Sequence, residues 1–387
     1  MRILFFNYEY PPLGGGAGNA AFYLLREYSK IPDLTVDFIT SSIDSEYHLE
    51  KMGENIFIHR LSIGKNENSL HFQSQKDILV YLWKAYFFSK KLAKKNKYDL
   101  SHSFFTIPCG LISLLLKRKF ETPYIISLRG SDVPGYSERF SFLYLFIKPL
   151  IRKIWKNSFT VISNSQGLKN LALKTNPKQK IEVIFNGIDI DQFFQIRSLA
   201  SVPEAKLREE FRILCVSRIT PRKGVNYLIE AFKKLSEKHQ DIFLQIIGDG
   251  DEKNELENLV KELKIENKVE FTGLISHEKL PSYFQSADVF VLPSLNEGMS
   301  NAMLEALASG LPIIATDTGG TRELVKDGEN GFIVKMKDSG DIAEKIERLI
   351  ENAELREKMG KVSREIAENM SWGKAAREYL EVYKKIK

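Results

Sequence analysis

Short apolar runs alternate with helical patterns through the first half of the chain. The predicted strands are Arg2–Phe6, Val36–Thr40, Ile56–Arg60, Leu100–Ser103, Tyr124–Leu128, Phe159–Ser163 and Ile181–Ile184. The predicted helices are Ala17–Lys30, Asp77–Asn96, Cys109–Lys117, Glu138–Asn157 and Gln166–Lys174. Regular strand–helix alternation predicts a parallel sheet with helices on both faces.

A second alternation follows a polar stretch at 195–210, which has the composition of a linker. Its predicted strands are Ile213–Val216, Phe243–Ile247, Val269–Thr272, Val289–Leu292, Ile313–Ala315 and Phe332–Val334. Its predicted helices are Val225–Lys238, Lys253–Leu263, Lys279–Gln285, Asn301–Ala308 and Asp341–Glu351. In the first of these helices, apolar residues at helical spacing form one face.

The length of 387 residues suits two domains better than one hydrophobic core. We therefore predict an α/β fold with two doubly wound domains, at residues 1–195 and 196–371. The chain closes with a predicted helix, within residues 372–387, that packs back on the first domain. Because ligands bind at the carboxyl ends of strands in such sheets, the loops after the strands are searched for chemistry.

Composition narrows the class of protein. Apolar residues make up 43% of the chain, as in globular proteins, and the two cysteines lie far apart in sequence. The amino-terminal apolar run is too short for a signal peptide, and no run is long enough for a membrane span. We expect a cytoplasmic protein, either free or peripheral at the inner face of the membrane.

Charge is unevenly distributed along the chain. Residues 1–195 carry 26 basic and 17 acidic residues, whereas the remainder carries 30 and 33. A basic first half suits an anionic partner such as a membrane surface, a phospholipid-linked acceptor or nucleic acid. A solvated lysine-rich surface explains the same surplus equally well.

A glycine-rich loop, Gly14-Gly15-Gly16, joins the first predicted strand to a helix. Glycines let the backbone approach a ligand closely, and a helix amino terminus offers N–H groups to an anion. The spacing is not GxGxxG, which disfavours a nicotinamide site. A plain tight turn is the other interpretation.

Two cations follow the first strand of the second half. Arg218 and Lys223 stand in a loop at the predicted strand end. A guanidinium fork and an ammonium group suit a diphosphate, and they would stabilise charge on a leaving diphosphate. A basic surface loop is the alternative.

Acidic residues follow Gly248 in a D-x-D pattern, which holds a divalent metal in some nucleotide sites. Here we prefer a strand–helix turn in which Asp249 and Asp251 cap the next helix. If Arg218 and Lys223 neutralise the phosphates, no metal is needed.

The richest segment runs from Phe290 to Pro312. Ser300 is a good helix N-cap, and the N–H groups from Gly298 to Asn301 suit a phosphate. Glu297 and Glu305 are eight residues apart, about 80° around a helix, so both can lean toward one ligand. Carboxylates bind sugar hydroxyls well.

Together these segments resemble the retaining glycosyltransferases of family 4, over nearly the whole chain. The resemblance rests on the glycine loop, the Arg218 and Lys223 pair, the E-x7-E signature of Glu297 and Glu305, and the N-G-x-D of residues 186–189. It implies the GT-B fold, with two Rossmann-like domains facing a central cleft. It also implies that no cofactor is required beyond a nucleotide-sugar co-substrate.

The resemblance also implies a role for each site residue. The residues implied in catalysis are Arg218, Lys223 and Glu297. Those implied in donor binding are Gly15, Gly16, Gly248, Ile275, Gly298, Met299, Ser300, Asn301 and Glu305. Among them, Glu305 would bind the ribose hydroxyls, and the backbone near Ile275 would bind the base.

One segment departs from the family pattern. Many members carry His-Gly-x-Asp after a strand of the first domain, whereas this chain has Arg129-Gly-Ser-Asp132. Arginine stays protonated and cannot act as a base. Arg129, Asp132 and Asn186 are the acceptor-side candidates, and a hydroxyl, a sugar carboxylate or a phosphate is the group that Arg129 would bind.

The expected activity is retaining transfer of a hexosyl-type sugar. A UDP-sugar is favoured over a GDP-sugar as donor, and a glycan or lipid-linked molecule of cell-surface polysaccharide or glycolipid synthesis is the acceptor. Nucleic acid is not expected as a partner. A nucleotide-sugar 2-epimerase and a catalytically silent nucleotide-sugar binder are the two rivals.

Two stretches combine aromatic residues with cations, as interfacial helices do: 81–97 and 140–156. Either one would suit contact with an anionic membrane. A core-packed helix with lysines extending from its edge is the slightly favoured interpretation of each.

Overall fold

The computed structural model describes residues 1–64, 74–136, 141–193 and 210–386. These residues form two compact units. The first unit joins Met1–Gly187 to Trp372–Lys387, and the second is Ile188–Ser371. Most of the predicted linker, residues 195–209, lies outside the described residues.

An eight-stranded sheet forms the centre of the first unit, in the order β3-β4-β2-β1-β5-β6-β7-β8. Its strands are β1 (Arg2–Phe6), β2 (Thr35–Ser41), β3 (His48–Met52), β4 (Ile56–Leu61), β5 (Leu100–Phe104), β6 (Tyr124–Leu128), β7 (Thr160–Ser163) and β8 (Ile181–Val183). Every neighbouring pair is parallel except β3 with β4.

Helices cover this sheet. They are α1 (Gly16–Tyr28), α2 (Gln75–Lys95), α3 (Leu111–Phe120), α4 (Ser141–Asn157), α5 (Gln166–Thr175) and the terminal α13 (Trp372–Lys384). Ile125 and Ile126, neighbours on β6, belong to two different hydrophobic clusters. Because successive side chains of a strand point to opposite faces, the sheet has a core on each side.

A six-stranded parallel sheet, in the order β11-β10-β9-β12-β13-β14, forms the second unit. Its strands are β9 (Phe211–Val216), β10 (Ile242–Ile247), β11 (Val269–Gly273), β12 (Val289–Leu292), β13 (Ile313–Thr316) and β14 (Gly331–Val334). Its helices are α6 (Val225–Ser236), α7 (Lys253–Glu262), α8 (Leu280–Ser286), α9 (Asn301–Ala308), α10 (Thr321–Leu324), α11 (Ser339–Glu351) and α12 (Ala353–Glu368). Ile213 and Leu214 again belong to clusters on opposite faces.

The apolar face predicted for α6 is buried in this unit. Its buried residues are Val225, Leu228, Ile229, Ala231, Phe232 and Leu235. The predicted apolar face is therefore confirmed: α6 packs one face in the core.

Three elements are absent from the sequence prediction: edge strand β3, the four-residue helix α10 and helix α12. Edge strand β3 is missing from it, because most of its side chains are polar or exposed, including Leu49 at 52% exposure. Helix α12 is missing because its buried residues include the small Gly360 and Ser363, which leave little apolar periodicity. Local hydrophobic pattern is weak in β3 and α12.

The division between the units falls at residue 187, earlier than the predicted 195. Ile188 forms a parallel bridge with Ser371. Phe193 is fully buried and packs edge-on against Phe284. These contacts attach residues 188–193 to the second unit.

The terminal helix α13 joins the first unit through a buried chain of hydrogen bonds. His102 on β5 contacts the Tyr383 hydroxyl through Nδ1 at 2.7 Å and Ser127 Oγ through Nε2 at 2.8 Å. The Tyr383 hydroxyl also lies 2.8 Å from that of Tyr28. The Tyr379 hydroxyl lies 3.0 Å from Ser127 Oγ. The helix is therefore held by polar contacts inside its packed face.

Each helix that the structure describes is either too short or too polar to span a lipid bilayer.

Burial lowers the pKa of His102 well below its ordinary 6.5, and the charge of Arg129 lowers it further. The folded state thus keeps this imidazole neutral, whereas the unfolded chain takes up a proton below pH 6.5. Stability from His102 is therefore present above pH 6.5 and is lost as the pH falls, by up to about 1.4 kcal/mol per pH unit.

We predict that the free energy of unfolding of the first unit falls between pH 7.5 and pH 5.5 by about 1–2 kcal/mol more in the wild type than in His102→Gln. All three tryptophans, Trp83, Trp155 and Trp372, lie in the first unit, so urea unfolding followed by tryptophan fluorescence reports on it alone. Equal pH dependence in the two proteins would contradict the assignment.

Candidate functional site

The loops after five strands of the second unit lie at one edge of its sheet. All of its strands are parallel, so their carboxyl ends point the same way. Most of the residues proposed from sequence to bind a donor lie in these loops. The loop segments are 217–224, 248–252, 274–279, 293–300 and 317–320.

The loop after β9 carries the two predicted cations. Arg218 is exposed just beyond the strand, and a short 3₁₀ turn at Pro221–Lys223 follows. Gly224 ends this turn with φ of +62°, and a Cβ there would lie 2.5 Å from the carbonyl oxygen of Pro293. Only glycine permits so close an approach, which brings Lys223 beside the loop after β12.

Lys223 and Glu297 form an ion pair. Lys223 Nζ donates to Glu297 Oε1, and their side chains are only 12% and 9% exposed. Ser294 Oγ donates to the same carboxylate oxygen at 2.8 Å. The resemblance in sequence implies that Lys223 binds the diphosphate and that Glu297 binds the sugar. The structure joins them directly, so each largely buried charge has a partner.

The loop after β13 fixes the backbone at Glu297. Gly319 has φ of +43°, and a Cβ there would lie 1.7 Å from the carbonyl oxygen of Glu297. The N–H of Gly320 donates to the carbonyl of Gly298 at 2.5 Å. Thr316 Oγ1 donates to the carbonyl of Ser294. The segment that carries Glu297 is therefore held by main-chain contacts.

Helix α9 begins where the sequence predicted. Ser300 is its N-cap, and its hydroxyl accepts the N–H of Met303 at 3.3 Å. Gly298 and Met299 are buried in the preceding turn, and Asn301 opens the helix half-buried. Gly298, Met299, Ser300 and Asn301 are thus consecutive residues that lead from the loop after β12 into the first turn of α9.

Glu305 faces an unpredicted partner, His277. Glu305 is buried on α9, and its Oε1 lies 3.1 Å from His277 Nε2. Burial raises the pKa of Glu305, while the hydrogen bond with His277 and the charge of that residue lower it. Glu297 precedes the helix, so the 80° separation expected for two residues of one helix does not describe the glutamates, and whether both contact one ligand stays a prediction.

The loop after β10 contains the next donor-binding candidate. Gly248 has φ of +140°, and a Cβ there would lie 1.8 Å from the carbonyl oxygen of Ser217. Its N–H donates to the carbonyl of Gly273 at 2.9 Å. Ile275 is partly buried against the hydrophobic cluster beneath this edge.

The capping role predicted for Asp249 and Asp251 is wrong. Glu252 is the N-cap of α7 and makes no side-chain cap bond. Asp249 Oδ1 accepts the N–H of Gly250 at 2.9 Å, and both aspartates are exposed. The turn is instead formed by the N–H of Ile219, which donates to the carbonyl of Asp249 at 2.9 Å.

In the first unit, Glu9 lies against the glycine loop. Gly14 has φ of +88°, and a Cβ there would lie 2.6 Å from Cβ of Glu9. The N–H of Gly15, the N-cap of α1, donates to Glu9 Oε2 at 3.4 Å, and the helix starts at Gly16. A carboxylate thus lies where the sequence placed an anion.

Arg129 lies with Asn186 in the first unit. Its NH1 donates to Asn186 Oδ1 at 2.9 Å, and its NH2 donates to the Tyr379 hydroxyl at 3.2 Å. The guanidinium carbon lies 3.4 Å from the ring centroid of Phe104. Burial lowers the pKa of Arg129. The guanidinium of Arg129, which directly follows β6, therefore links this strand to Asn186 and to Tyr379 on α13.

Asp132 organises the loop that follows β6. Its Oδ1 accepts the N–H groups of Arg129 and Gly130, at 2.9 and 3.2 Å. Its Oδ2 accepts the N–H and hydroxyl of Thr106, at 2.8 and 3.0 Å. Burial raises its pKa, and these hydrogen bonds lower it. All three acceptor-side candidates are thus brought together by protein contacts.

Several contacts of the site were missed from sequence. Ser294, His277, Tyr379 and the pair Gly319-Gly320 all lie beside predicted residues. The glycine pair lies in the loop that follows the predicted strand Ile313–Ala315. Two glycines in such a loop are a sequence signal that two stretches of backbone approach each other closely. His277 and Tyr379 contact partners far away in the chain, which local spacing does not reveal, whereas Ser294 lies three residues before Glu297 in the same loop.

Two family models together match most of the chain. The model described as Glycosyltransferase Family 4 matches residues 14–192, and that of glycosyl transferases group 1 matches residues 202–366.

Relatives of similar length extend over the whole chain. An uncharacterized glycosyltransferase of Methanocaldococcus jannaschii is 28% identical over 389 residues, which cover 100% of this chain and 99% of the relative. The N-acetyl-alpha-D-glucosaminyl L-malate synthase of Bacillus anthracis is 26% identical, covering 96% of this chain and 94% of the relative.

Solved structures share the fold at lower identity. Sucrose-phosphate synthase from Thermosynechococcus elongatus aligns with a TM-score of 0.84 at 22% identity, over 100% of this chain and 99% of that one. Anabaena HepE, solved in complex with UDP-glucose, aligns with a TM-score of 0.76 at 20% identity, over the whole of both chains.

The two parallel sheets and these structural likenesses define a GT-B fold built from two Rossmann-like domains. With the two family models, the chain is a family 4-like glycosyltransferase.

We predict that Gly319→Ala destabilises the second unit far more than Gly328→Ala. Both glycines have positive φ, but a Cβ at Gly328 meets no atom within 4 Å. Alanine at Gly328 should cost about 1–2 kcal/mol from backbone strain, whereas alanine at Gly319 must also displace the Glu297 main chain.

Hydrogen–deuterium exchange of peptides from β12 and β13 measures this difference, and exchange is expected to accelerate far more in Gly319→Ala than in Gly328→Ala. Equal protection in the two variants would contradict the packing described for this loop.

Proposed function

We propose that this protein is a retaining glycosyltransferase that moves a hexosyl-type sugar from a nucleotide-diphosphate donor to a glycan or lipid-linked acceptor. The observation that carries the proposal is the Lys223–Glu297 pair at the carboxyl edge of the second sheet. In this pair, a cation that would bind a diphosphate contacts a carboxylate that would accept a sugar hydroxyl.

Donor binding would exchange partners within this pair. A diphosphate carries more negative charge than one carboxylate, so it competes with Glu297 for the Lys223 ammonium group. Ser294 already donates to Glu297 and would hold the carboxylate in place as the ammonium turns. The carboxylate is then available to accept a hydroxyl of the donor sugar.

Arg218 would add a guanidinium fork to the same phosphates. As the bond from the anomeric carbon to phosphate oxygen breaks, negative charge builds on the leaving diphosphate, and both cations stabilise it. The acceptor hydroxyl oxygen forms the new bond to the anomeric carbon from the same face. Its proton passes to the departing phosphate oxygen, so the anomeric configuration is retained.

A UDP-sugar is the favoured donor, with a GDP-sugar as the second choice. Support comes from Anabaena HepE, which has the same fold and was solved with UDP-glucose. The donor base would lie against the backbone near Ile275. Because backbone contacts do not identify a base, the residues there do not distinguish uracil from guanine. No cofactor or metal ion enters this mechanism, because the two cations neutralise the phosphates.

The acceptor is expected to contact the first unit near Arg129, Asp132 and Asn186. The contacts that hold the Arg129 guanidinium favour a fixed surface over a group that moves during turnover. A glycan or lipid-linked acceptor of polysaccharide or glycolipid synthesis suits the proposal.

Incubation with a panel of UDP- and GDP-sugars distinguishes the proposal from its rivals. A transferase releases nucleoside diphosphate quickly only when an acceptor is present. A 2-epimerase changes the sugar without an acceptor, and a silent binder does neither.

We predict that Arg218→Ala and Lys223→Ala each lower turnover by about two to three orders of magnitude without unfolding the protein, because each removes charge that stabilises the leaving diphosphate. The measurement is nucleoside diphosphate release with an active donor–acceptor pair.

Lys234→Ala is the matched control, since Lys234 is exposed on α6 and contacts Ser339 rather than the site. It removes the same charge and should leave turnover unchanged. Near-normal turnover in either site variant would remove that residue from the mechanism.

We further propose that α2 lies on an anionic membrane. One face of α2 packs in the core through Tyr81, Ala85 and Ser89, but a second stripe stays exposed. In that stripe, Leu79 is 64% and Trp83 is 63% exposed. Packing into the core therefore explains only one face of this helix.

Lysines continue the exposed stripe. Phe87 is 43% exposed and contacts the Trp83 ring edge-on, with centroids 5.3 Å apart. Lys90 Nζ lies 5.6 Å from the Phe87 ring centroid, and Lys91 and Lys94 are exposed beyond it. No acidic residue occurs between positions 78 and 98. Apolar side chains followed by cations suit the interface of an anionic bilayer.

The stretch 140–156 gives weaker support for contact with a membrane than α2 does. Its first residue lies outside the described residues, and α4 buries Ile151, Ile154 and Trp155 in the core. Phe146 is 68% exposed.

We predict that Trp83→Glu lowers binding to anionic vesicles at least tenfold, because it places a repelled charge in the apolar stripe. Co-sedimentation with vesicles of phosphatidylglycerol and phosphatidylcholine, against phosphatidylcholine alone, measures the effect.

Leu49→Glu is the control, since Leu49 is 52% exposed on β3 of the same unit. It should bind like the wild type. Equal binding of the wild type to anionic and neutral vesicles would count against the membrane proposal.

A further inference from the structure

His277 makes a side-chain contact that the mechanism above does not use. It stands in the loop between β11 and α8, and its Nε2 lies 3.1 Å from Oε1 of Glu305 on α9. The side chain of Glu305 is 7% exposed and that of His277 is 29% exposed. The contact therefore links the loop proposed to hold the base with the helix proposed to hold the ribose.

The imidazole ring is held on its other side as well. Its Nδ1 lies 3.4 Å from Nε2 of Gln192. The Phe193 ring stands nearly perpendicular to it, with centroids 5.7 Å apart, and Phe193 is fully buried. Contacts on both nitrogens and on the ring restrict His277 to one orientation toward Glu305.

Carboxylates surround this ring from three segments. Burial of His277 opposes its positive charge, but the hydrogen bond and charge of Glu305 raise its pKa, with further contributions from Asp189 and Glu278. Glu305 lies on α9, Asp189 in the segment that opens the second unit, and Glu278 in the same loop as His277. The surroundings thus favour an imidazole that donates to Glu305.

Glu305 gains a fixed direction from this bond. Within the described part of the chain, His277 contacts Oε1, and no hydrogen bond reaches Oε2. One oxygen is thus anchored and the other is available. Burial alone would raise the pKa of this carboxyl group, and a protonated carboxyl accepts fewer hydrogen bonds than a carboxylate.

We propose that His277 is a positioning residue, which anchors one oxygen of Glu305 so that the carboxylate accepts the ribose hydroxyls of the donor nucleotide. The inference rests on the proposed donor role of Glu305. It assigns to His277 a share of the preference for ribose over deoxyribose, although His277 itself does not touch the reacting atoms.

Calorimetric titration of the full chain with UDP and with 2′-deoxy-UDP tests this role; GDP and its 2′-deoxy form replace them if UDP does not bind. We expect the wild type to bind UDP about tenfold more tightly than 2′-deoxy-UDP, as for loss of a hydrogen bond to a charged group. His277→Ala should bind UDP about tenfold more weakly than the wild type and show little preference between the two nucleotides, as should Glu305→Gln.

His277→Gln is the conservative variant, because its amide N–H replaces the Nε2 donor without a titrating ring. It should recover most of the UDP affinity and the ribose preference. His239→Ala is the matched control, since His239 forms a similar pair with Glu347 at 3.4 Å elsewhere in the second unit. Its binding should equal that of the wild type.

Wild-type affinity and ribose preference in His277→Ala would overturn the inference and leave the proposed function intact. Loss in His277→Gln as large as in His277→Ala would also overturn it, since the donated hydrogen bond would not be the cause. Failure of the wild type to bind either UDP or GDP would instead overturn the proposed function on which the inference rests.

Discussion

The site depends on close packing between the backbones of neighbouring loops at the carboxyl edge of the second sheet. Gly224, Gly248 and Gly319 each stand where a Cβ would collide with the backbone of a neighbouring loop. Their positive φ angles let the loops approach one another. The close approach of the loops brings Lys223 into contact with Glu297 and fixes the turn that precedes α9. The chemistry of the site therefore follows from backbone packing as much as from charged side chains.

In the first unit, Arg129 stands where the resemblance in sequence led us to expect a histidine. The structure gives Arg129 a structural role, because the guanidinium binds Asn186 and Tyr379 and covers Phe104. The hydrogen-bonded chain through Ser127 and His102 then extends this tie to Tyr383 of the terminal helix. Arg129, which departs from the expected pattern, is thus one of the residues that attach α13 to the first unit.

Sequence pattern predicted most of the strands and the cap at Ser300, because both depend on residues close together in the chain. It could not predict the contact of His277 with Glu305, which joins residues 28 positions apart, or that of Arg129 with Tyr379, 250 apart. Polar edge strand β3 and small-residue helix α12 lack the apolar periodicity that such prediction needs. The capping expected of Asp249 and Asp251 failed because the N-cap position of α7 belongs to Glu252 instead.

In the proposed function, the loops at the carboxyl edge of the second sheet bind the nucleotide-diphosphate part of a sugar donor. Hydrogen–deuterium exchange of the full chain, with and without saturating UDP or GDP, tests this binding most directly. Exchange should slow at residues 217–224, 274–279 and 294–301 with at least one of the two nucleotides. Unchanged exchange in all three segments while a nucleotide is bound would contradict it.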